Sequence, residues 1–329
     1  MAEYREIQGS AVQSRTSSTG LIEGEIWYDS STGNFKLQTL VASSWASAPT
    51  LPGARQPAGQ AGTQTAMVLA GGYPGTNDTT MTYDGTTWSA PGNNLNTARS
   101  VCCLWGIQGA AVCAGTGTSG APYTSGTAAE EYNGTSWSNS NPINTSRFGV
   151  FAGGTLTQGV IAGGAGPSTY SAAVEEYDGT SFSSETSIPG AQGNGASGAD
   201  LQTDMMCVGG GPGTKTTNSY YNGTSWTTKN SLSGSGRRGN MGSINSSSAP
   251  GFTTGGETAT TNPITTTEEW DGTSFSSGLA LPAATRDMAG ADGGTGYAGL
   301  VSGGFNTTTA NQSFEWTGVQ VSSKTITTS

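Results

Sequence analysis

Short apolar runs recur along the chain and are separated by polar stretches rich in glycine. Six of them, Met67 to Gly72, Ala111 to Gly115, Val160 to Gly164, Met206 to Gly211, Phe252 to Gly256 and Leu300 to Gly304, end in glycine. A run of this length bounded by a turn-forming residue reads as a buried strand. A second element follows each: an aromatic, then Asn or Asp with Gly, then another aromatic. Its copies are Tyr83-Asp84-Gly85-Thr86-Thr87-Trp88, Tyr132-Asn133-Gly134-Thr135-Ser136-Trp137, Tyr177-Asp178-Gly179-Thr180-Ser181-Phe182, Tyr221-Asn222-Gly223-Thr224-Ser225-Trp226 and Trp270-Asp271-Gly272-Thr273-Ser274-Phe275. A worn sixth reads Trp316-Thr317-Gly318-Val319-Gln320-Val321. Successive starts lie 49, 45, 44, 49 and 46 residues apart. An arginine opens most units: Arg55, Arg99, Arg147, Arg237 or Arg238, and Arg286, with Gln192 in that neighbourhood of the fourth.

Three markers in one order at one period define a repeat. Asn-Gly and Asp-Gly predict type I′ hairpin turns, with positive φ at the centre. The double glycine predicts the end of an inner strand, where the backbone approaches a neighbour closely. Each unit then holds about four short strands, the content of one propeller blade. A lone blade cannot bury both faces, and radial stacking against its copies solves that.

Composition supports strands over helices and narrows the chemistry. Glycine supplies 53 of 329 residues, and only 10% are charged, against roughly 25% in a typical soluble domain. There is no histidine, which removes His-based triads and His-ligated metals. The formal charge is −10, with four lysines, so no basic stripe for nucleic acid is expected. No apolar run is long enough to span a membrane, so no membrane insertion is expected. The N-terminal residues lack the pattern of a signal peptide. The spacing of Cys102, Cys103, Cys113 and Cys207 is not that of a metal knuckle, and they read as small buried hydrophobes.

The markers resemble the kelch repeat family, whose blades carry a glycine doublet, a Glu-Tyr-type strand and a tryptophan about six residues on. The matching pairs are Glu131-Tyr132, Glu176-Tyr177, Glu269-Trp270 and Glu315-Trp316. The pattern departs at Thr82-Tyr83, Tyr220-Tyr221 and Val321. The hairpins do not show the Ser-x-Asp-x-Gly-x-Thr-Trp pattern of a sialidase Asp-box. The resemblance implies an all-β, kelch-like β-propeller over about residues 55 to 321.

Blade number rests on the N-terminal segment. Trp45 echoes the repeated tryptophans, and Glu25 to Tyr28 and Asn34 to Leu40 read as strands joined by Asp29-Ser30-Ser31-Thr32-Gly33. With the tail Lys324 to Thr328 they make a seventh blade closed by both chain termini. Seven blades are favoured, and a six-bladed ring with the N-terminal hairpin outside it is the alternative. The expected division is an arm, residues 1–20, and a propeller, residues 21–329, with repeats ending near Trp45, Trp88, Trp137, Phe182, Trp226, Phe275 and Val321. Trp88, Trp137 and Trp226 are expected to be buried between blades.

Catalytic chemistry is sparse in the sequence. Asp200, Asp204, Asp287 and Asp292 are the acids expected near channel loops, and none has an evident base or nucleophile beside it. No carboxylate pair recurs as a glycosidase requires. Gly209-Gly210-Gly211-Pro212-Gly213 lacks the ending of a phosphate loop and reads as a blade turn. Asp84, Asp178 and Asp271 share a slot with Asn133 and Asn222, which suits turn formers better than cation ligands. The recurrent glutamates and arginines read as architectural pairs between strands, blades or loops. Asn133 and Asn222 also match the N-glycosylation pattern, which carries no weight without a secretion signal. No catalytic, cofactor-binding or metal-binding residue is assigned, no cofactor is expected, and the chain is read as a non-enzyme.

The segment Gly24-Glu25-Ile26-Trp27-Tyr28-Asp29-Ser30-Ser31-Thr32-Gly33 resembles a motif of bacteriophage virion proteins, particularly tail and fibre proteins. The low lysine and high Gly/Ser/Thr/Asn content is similar to that of marine phage structural proteins. The resemblance implies a virion component, made in the host cytoplasm and present in several copies. It would decorate the capsid or sit in the tail, with other virion proteins and a host surface glycan or protein as partners. The alternatives are an intracellular kelch-type interaction module and a carbohydrate-active enzyme using Asp and Tyr. Sugar oxidases with copper ligated by His and Tyr are set aside because histidine is lacking.

Overall fold

A computed structural model describes residues 14–15, 23–56, 58–117, 125–166, 168–244, 246–290 and 297–327. The repeats fold into four-stranded antiparallel sheets, and no helix occurs among the described residues. Blade 2 is typical: Val101–Ile107, Ala110–Gly117, Ser125–Tyr132 and Trp137–Ser140 lie side by side in chain order. Blades 1, 3, 4 and 5 repeat this over residues 59–89, 151–185, 196–228 and 241–277. Blade 6 combines Ala289–Gly290, Ala298–Ser302 and Ser313–Thr317 with a strand from far upstream, Ser44–Ala48.

These six blades belong to one compact unit, Ser44–Thr317. Its innermost strands pack in sequence, and the first strand of blade 6 returns to that of blade 1, Gly59–Thr63. The ring is thereby closed. The glycine doublets stitch their blades to the next. Gly72 N–H donates to the Arg99 carbonyl at 2.9 Å, Gly164 to Gln192 at 2.8 Å, Gly210 to Arg237 at 2.8 Å, and Gly304 to Arg55 at 2.7 Å. Gly71 shows why glycine is needed: its φ is +73°, and a Cβ would sit 2.9 Å from the Arg99 carbonyl oxygen, nearer than carbon and oxygen pack.

This stitching defines the arginine slot as Arg55, Arg99, Gln192, Arg237 and Thr285, and Arg147 takes the same place beside Gly115, where a Cβ would sit 2.7 Å from the Arg147 carbonyl oxygen. The expected marker Arg286 is one residue past the slot. Of the pair Arg237 and Arg238, Arg237 occupies it.

Closure differs from the expectation at Trp45. The strand Ser44–Ala48 completes blade 6, with Trp316 opposite Trp45, as Tyr132 is opposite Trp137 in blade 2. The Trp45 ring lies 4.8 Å from that of Trp316 and 5.5 Å from that of Phe252. The sixth repeat lacks its second aromatic at Val321 because the N-terminal strand brings it.

The seventh four-stranded sheet lies in a second compact unit, Met1–Ser43 with Gly318–Ser329. It orders Ser14–Arg15, Ile26–Asp29, Asn34–Val41 and Gln320–Thr325 side by side, the first pair parallel. As expected, the C-terminal strand pairs with the N-terminal hairpin, Val321 opposite Leu40 and Thr325 opposite Lys36. Asp29 closes the hairpin turn by accepting from Ser31 N–H at 3.0 Å and Thr32 Oγ1 at 2.7 Å. Trp27 is buried. Of the expected arm, residues 1–20, only Ser14 and Arg15 fall within the described residues.

The propeller core is a set of interblade layers. One joins Val68 and Ala70 of blade 1 to Leu104, Cys113, Tyr132 and Trp137 of blade 2. The two aromatics of a hairpin stack, as in Tyr132 and Trp137 with centroids 4.9 Å apart. Trp88, Trp137, Phe182 and Phe275 are buried. Trp226 is only half-buried, with its Nε1–H donating to the Thr186 carbonyl at 2.8 Å. All four cysteines are buried free thiols.

The hairpin turns correct another expectation. Tyr83 pairs with Trp88, so the loop has four residues, and only its glycine has positive φ, Gly85 at +91°. A type I′ turn needs two such residues. Here Asp84 Oδ1 accepts from Thr86 N–H at 2.8 Å and Thr87 N–H at 2.7 Å. Asn133 Oδ1 does the same for Thr135 at 2.9 Å and Ser136 at 2.8 Å. Asp and Asn alternate because the turn uses one acceptor oxygen and no charge. The Thr86 hydroxyl, which donates to Asp84 Oδ1 at 2.7 Å, together with these two amides brings the exposed Asp84 carboxyl down to about 2.

Candidate functional site

Most of the recurrent charge is consumed by the ring itself. Arg99 pairs with Glu130 at 2.5 Å and Arg147 with Glu175 at 2.9 Å, both pairs essentially inaccessible to solvent. Arg237 and Glu268 form the third such pair. Each carboxylate also holds the incoming loop, as Glu175 does by accepting from Asn144 N–H at 2.6 Å and Thr145 N–H at 3.1 Å. These are the glutamates one position before those of the sequence markers. The marker glutamates turn the other way and meet the tyrosine of the next blade. Tyr177 OH donates to Glu131, Tyr221 OH to Glu176 at 3.1 Å, and Tyr83 OH to Glu315 at 2.8 Å across the closure. Burial and the carboxylate push the Tyr177 phenol up to about 12. Where Thr82 replaces the glutamate, Tyr132 OH donates to the Gly134 carbonyl of its own turn instead.

A different arrangement stands at the mouth of the central channel, on the face that carries the glycine doublets. Four residues two positions past the slot are left-handed: Gly149, Asn194, Gly239 and Asp287, with φ of 59°, 57°, 63° and 53°. Asn194 N–H donates to Gly149 O at 2.8 Å, Gly239 N–H to Asn194 O at 2.6 Å, and Asp287 N–H to Gly239 O at 2.8 Å. This backbone chain narrows the mouth over a channel cavity of about 90 Å³ that Gln60, Ser197, Asn194 and Asp287 help to line. A left-handed asparagine or aspartate costs conformational energy that the surrounding structure must offset.

Charged side chains gather beside this chain. Arg238 Nε donates to Glu257 Oε1 at 2.5 Å, and Arg286 Nε lies 3.6 Å from Glu257 Oε2. Arg286 also pairs with Asp287, and its guanidinium lies 4.7 Å from the Phe305 ring centroid. Tyr170 OH accepts from Asn194 Nδ2 at 3.2 Å. Burial pushes the Asp287 carboxyl up, and the Arg286 guanidinium opposes this. Next to the cluster, a depression of about 400 Å³ opens between the loops of blades 4 and 5, bounded by Thr214, Arg238, Glu257, Thr258, Thr261 and Asn262.

Of the acids singled out in the sequence, Asp287 lies in this cluster. Asp200 and Asp204 lie at the turn after Ala196–Gly198, a different part of blade 4. Asp204 is engaged structurally, accepting from Ser246 Oγ at 2.7 Å and Ser247 N–H at 2.9 Å. Asp292 falls outside the described residues. Gly209 and Gly210 are the doublet of blade 4, so Gly209 to Gly213 is a blade turn, as expected. Glu257 and Tyr170 fall between the periodic markers and are not legible as a site, and Arg238 is legible only as an alternative to Arg237 for the marker.

Asp200 supplies a pH test. Burial and the nearby Asp204 raise its carboxyl to about 6. The fold then holds this proton more tightly than the unfolded chain does. Its contribution favours the fold at low pH and is lost as pH rises through about 6. D200N is expected to melt higher than the parent at pH 7 and level with it only at about pH 3, below the ordinary aspartate value of 3.8, in thermal circular dichroism. Equal differences at both pH values would contradict the assignment.

Comparison with known proteins places the fold. No family model matches the chain, and no curated protein matches it by sequence. Among solved structures it is similar to YjhT, with a TM-score of 0.67 and 13% identity over 83% of this chain and 99% of that one. At that identity the likeness concerns the propeller fold. The expectation of a non-enzyme does not stand on this fold, because one propeller architecture serves enzymes and binding modules alike. Propellers of one architecture differ in the chemistry their mouth loops carry. Here the mouth holds a partly buried carboxylate, two arginines, a glutamate and a tyrosine, groups that acid–base and electrostatic chemistry can use. The lack of histidine therefore does not make the chain a non-enzyme.

Proposed function

We propose that the protein is a binding module whose ligand sits at the channel mouth on the doublet face. One observation carries this reading. Arg238 and Arg286 each directly follow a ring position, Arg237 and Thr285, yet their side chains leave the blade interior and converge on Glu257. Arg238 keeps 45% of its side chain exposed, whereas its neighbour Arg237 keeps 1%. A mixed array of peptides, proteins and glycans tests the reading. Wild-type protein is expected to be retained on some members, and R238A, folded by circular dichroism, is expected to lose them. No retention, or retention unchanged in R238A, would overturn it.

A second reading concerns location. The phage-like segment Gly24 to Gly33 folds as a hairpin of its own compact unit, which favours a role for that unit in attachment to a virion. Mass spectrometry of purified particles tests this, and absence of the protein from them would end it.

A further inference from the structure

The chemistry of the mouth narrows the ligand class, on the premise that the mouth is the binding site. The geometry points to a neutral saccharide with adjacent hydroxyl groups, held in the depression between the loops of blades 4 and 5.

Charge balance is the first argument. Arg238 and Arg286 face Glu257 and Asp287, and every one of the four is already paired. In the depression, an anionic ligand would meet the Glu257 carboxylate beside Arg238, and a cationic one the Arg238 guanidinium beside Glu257. A hydroxyl group both donates and accepts. Neighbouring hydroxyls therefore match a guanidinium edge and a carboxylate edge set side by side. Arg238 and Glu257 present that pair at 2.5 Å, the arginine half-exposed and the glutamate only 11% exposed, so the acceptor is held in place.

The rest of the lining agrees. Thr258 Oγ1 accepts from Thr261 N–H at 3.1 Å, and Thr258 N–H donates to Thr261 O at 2.9 Å. The loop is thereby fixed, while Thr260, Thr261 and Asn262 remain exposed at the rim. They add hydroxyl and amide groups. The volume, about 400 Å³, lies within the ~300–1,000 Å³ of small-ligand sites.

The experiment uses the full chain on an array of neutral, sialylated, uronate-containing and sulfated oligosaccharides, followed by calorimetry with the strongest neutral compound. Neutral saccharides are expected to bind, with an affinity nearly constant from about 50 to about 500 mM NaCl, because no net charge is neutralised. R238A and E257Q are each expected to weaken binding by about tenfold or more, as charge-assisted hydrogen bonds are lost. E257Q keeps the size of the side chain, so its folding is expected to be intact. Binding of anionic glycans only, binding of no neutral saccharide, or unchanged affinity in both variants would overturn the inference. If neutral saccharides fail while a protein or peptide is retained through Arg238, the saccharide assignment falls and the binding-module reading stands.

Discussion

Arg147→Met is expected to cost about 3–5 kcal/mol, because it leaves a buried carboxylate without its countercharge. Arg147 and Glu175 are 0% and 1% exposed and 2.9 Å apart. The guanidinium also donates to the Gly163 carbonyl at 3.0 Å and to the Ala173 carbonyl. One side chain thus ties the entry of blade 3 to its second and third strands. Glu175 would keep its two loop amides and nothing positive. The melting temperature should fall by roughly 10 °C, given the size of the unit. R147M/E175Q removes the stranded charge and keeps one acceptor for the loop. It should recover about half of the loss or more, since the desolvation of both ions is then avoided. An R147M melting curve within ~1 kcal/mol of the parent would show that the pair is not what holds blade 3.

Removal of residues 1–48 is expected to have the second large effect. It takes away Ser44–Ala48, the outermost strand of blade 6. Trp316, now 1% exposed, would lose its cover, and the strand Ser313–Thr317 would become an open edge prone to pairing with other chains. Removal of residues 1–43 spares that strand and disturbs only the second unit. The shorter truncation should therefore keep a cooperative propeller transition, and the longer one should aggregate or melt far lower. Static light scattering with thermal circular dichroism separates them. Equal behaviour of the two truncations would show that Trp45 does not close the ring.

The closure shows where sequence reasoning stops. Trp45 was visible as an echo of Trp88, but an echo does not say which sheet a strand joins. Pairing across more than 260 residues depends on the loop that returns the chain, and the period of the repeat is silent about that. The choice between Glu130 and Glu131 is similar. Both sit on one strand, one residue apart, so they point to opposite faces. The sequence reading noticed the one beside the tyrosine, while the buried ion pair uses the other.

By itself the sequence determined the all-β class, the blade period, the glycines that allow close approach, and the turn residues. Each follows from backbone conformation and side-chain alternation within a few residues, which a linear pattern records. Only the tertiary structure decided which strand completes blade 6, which charges are buried, and that Arg238, Glu257, Arg286 and Asp287 meet at one mouth. These four come from two neighbouring blades: Arg238, Arg286 and Asp287 hold positions just past the slot and Glu257 does not, and the period is silent about their meeting. Their proximity is set by the curvature of the closed ring, which brings the start of each innermost strand to a common axis.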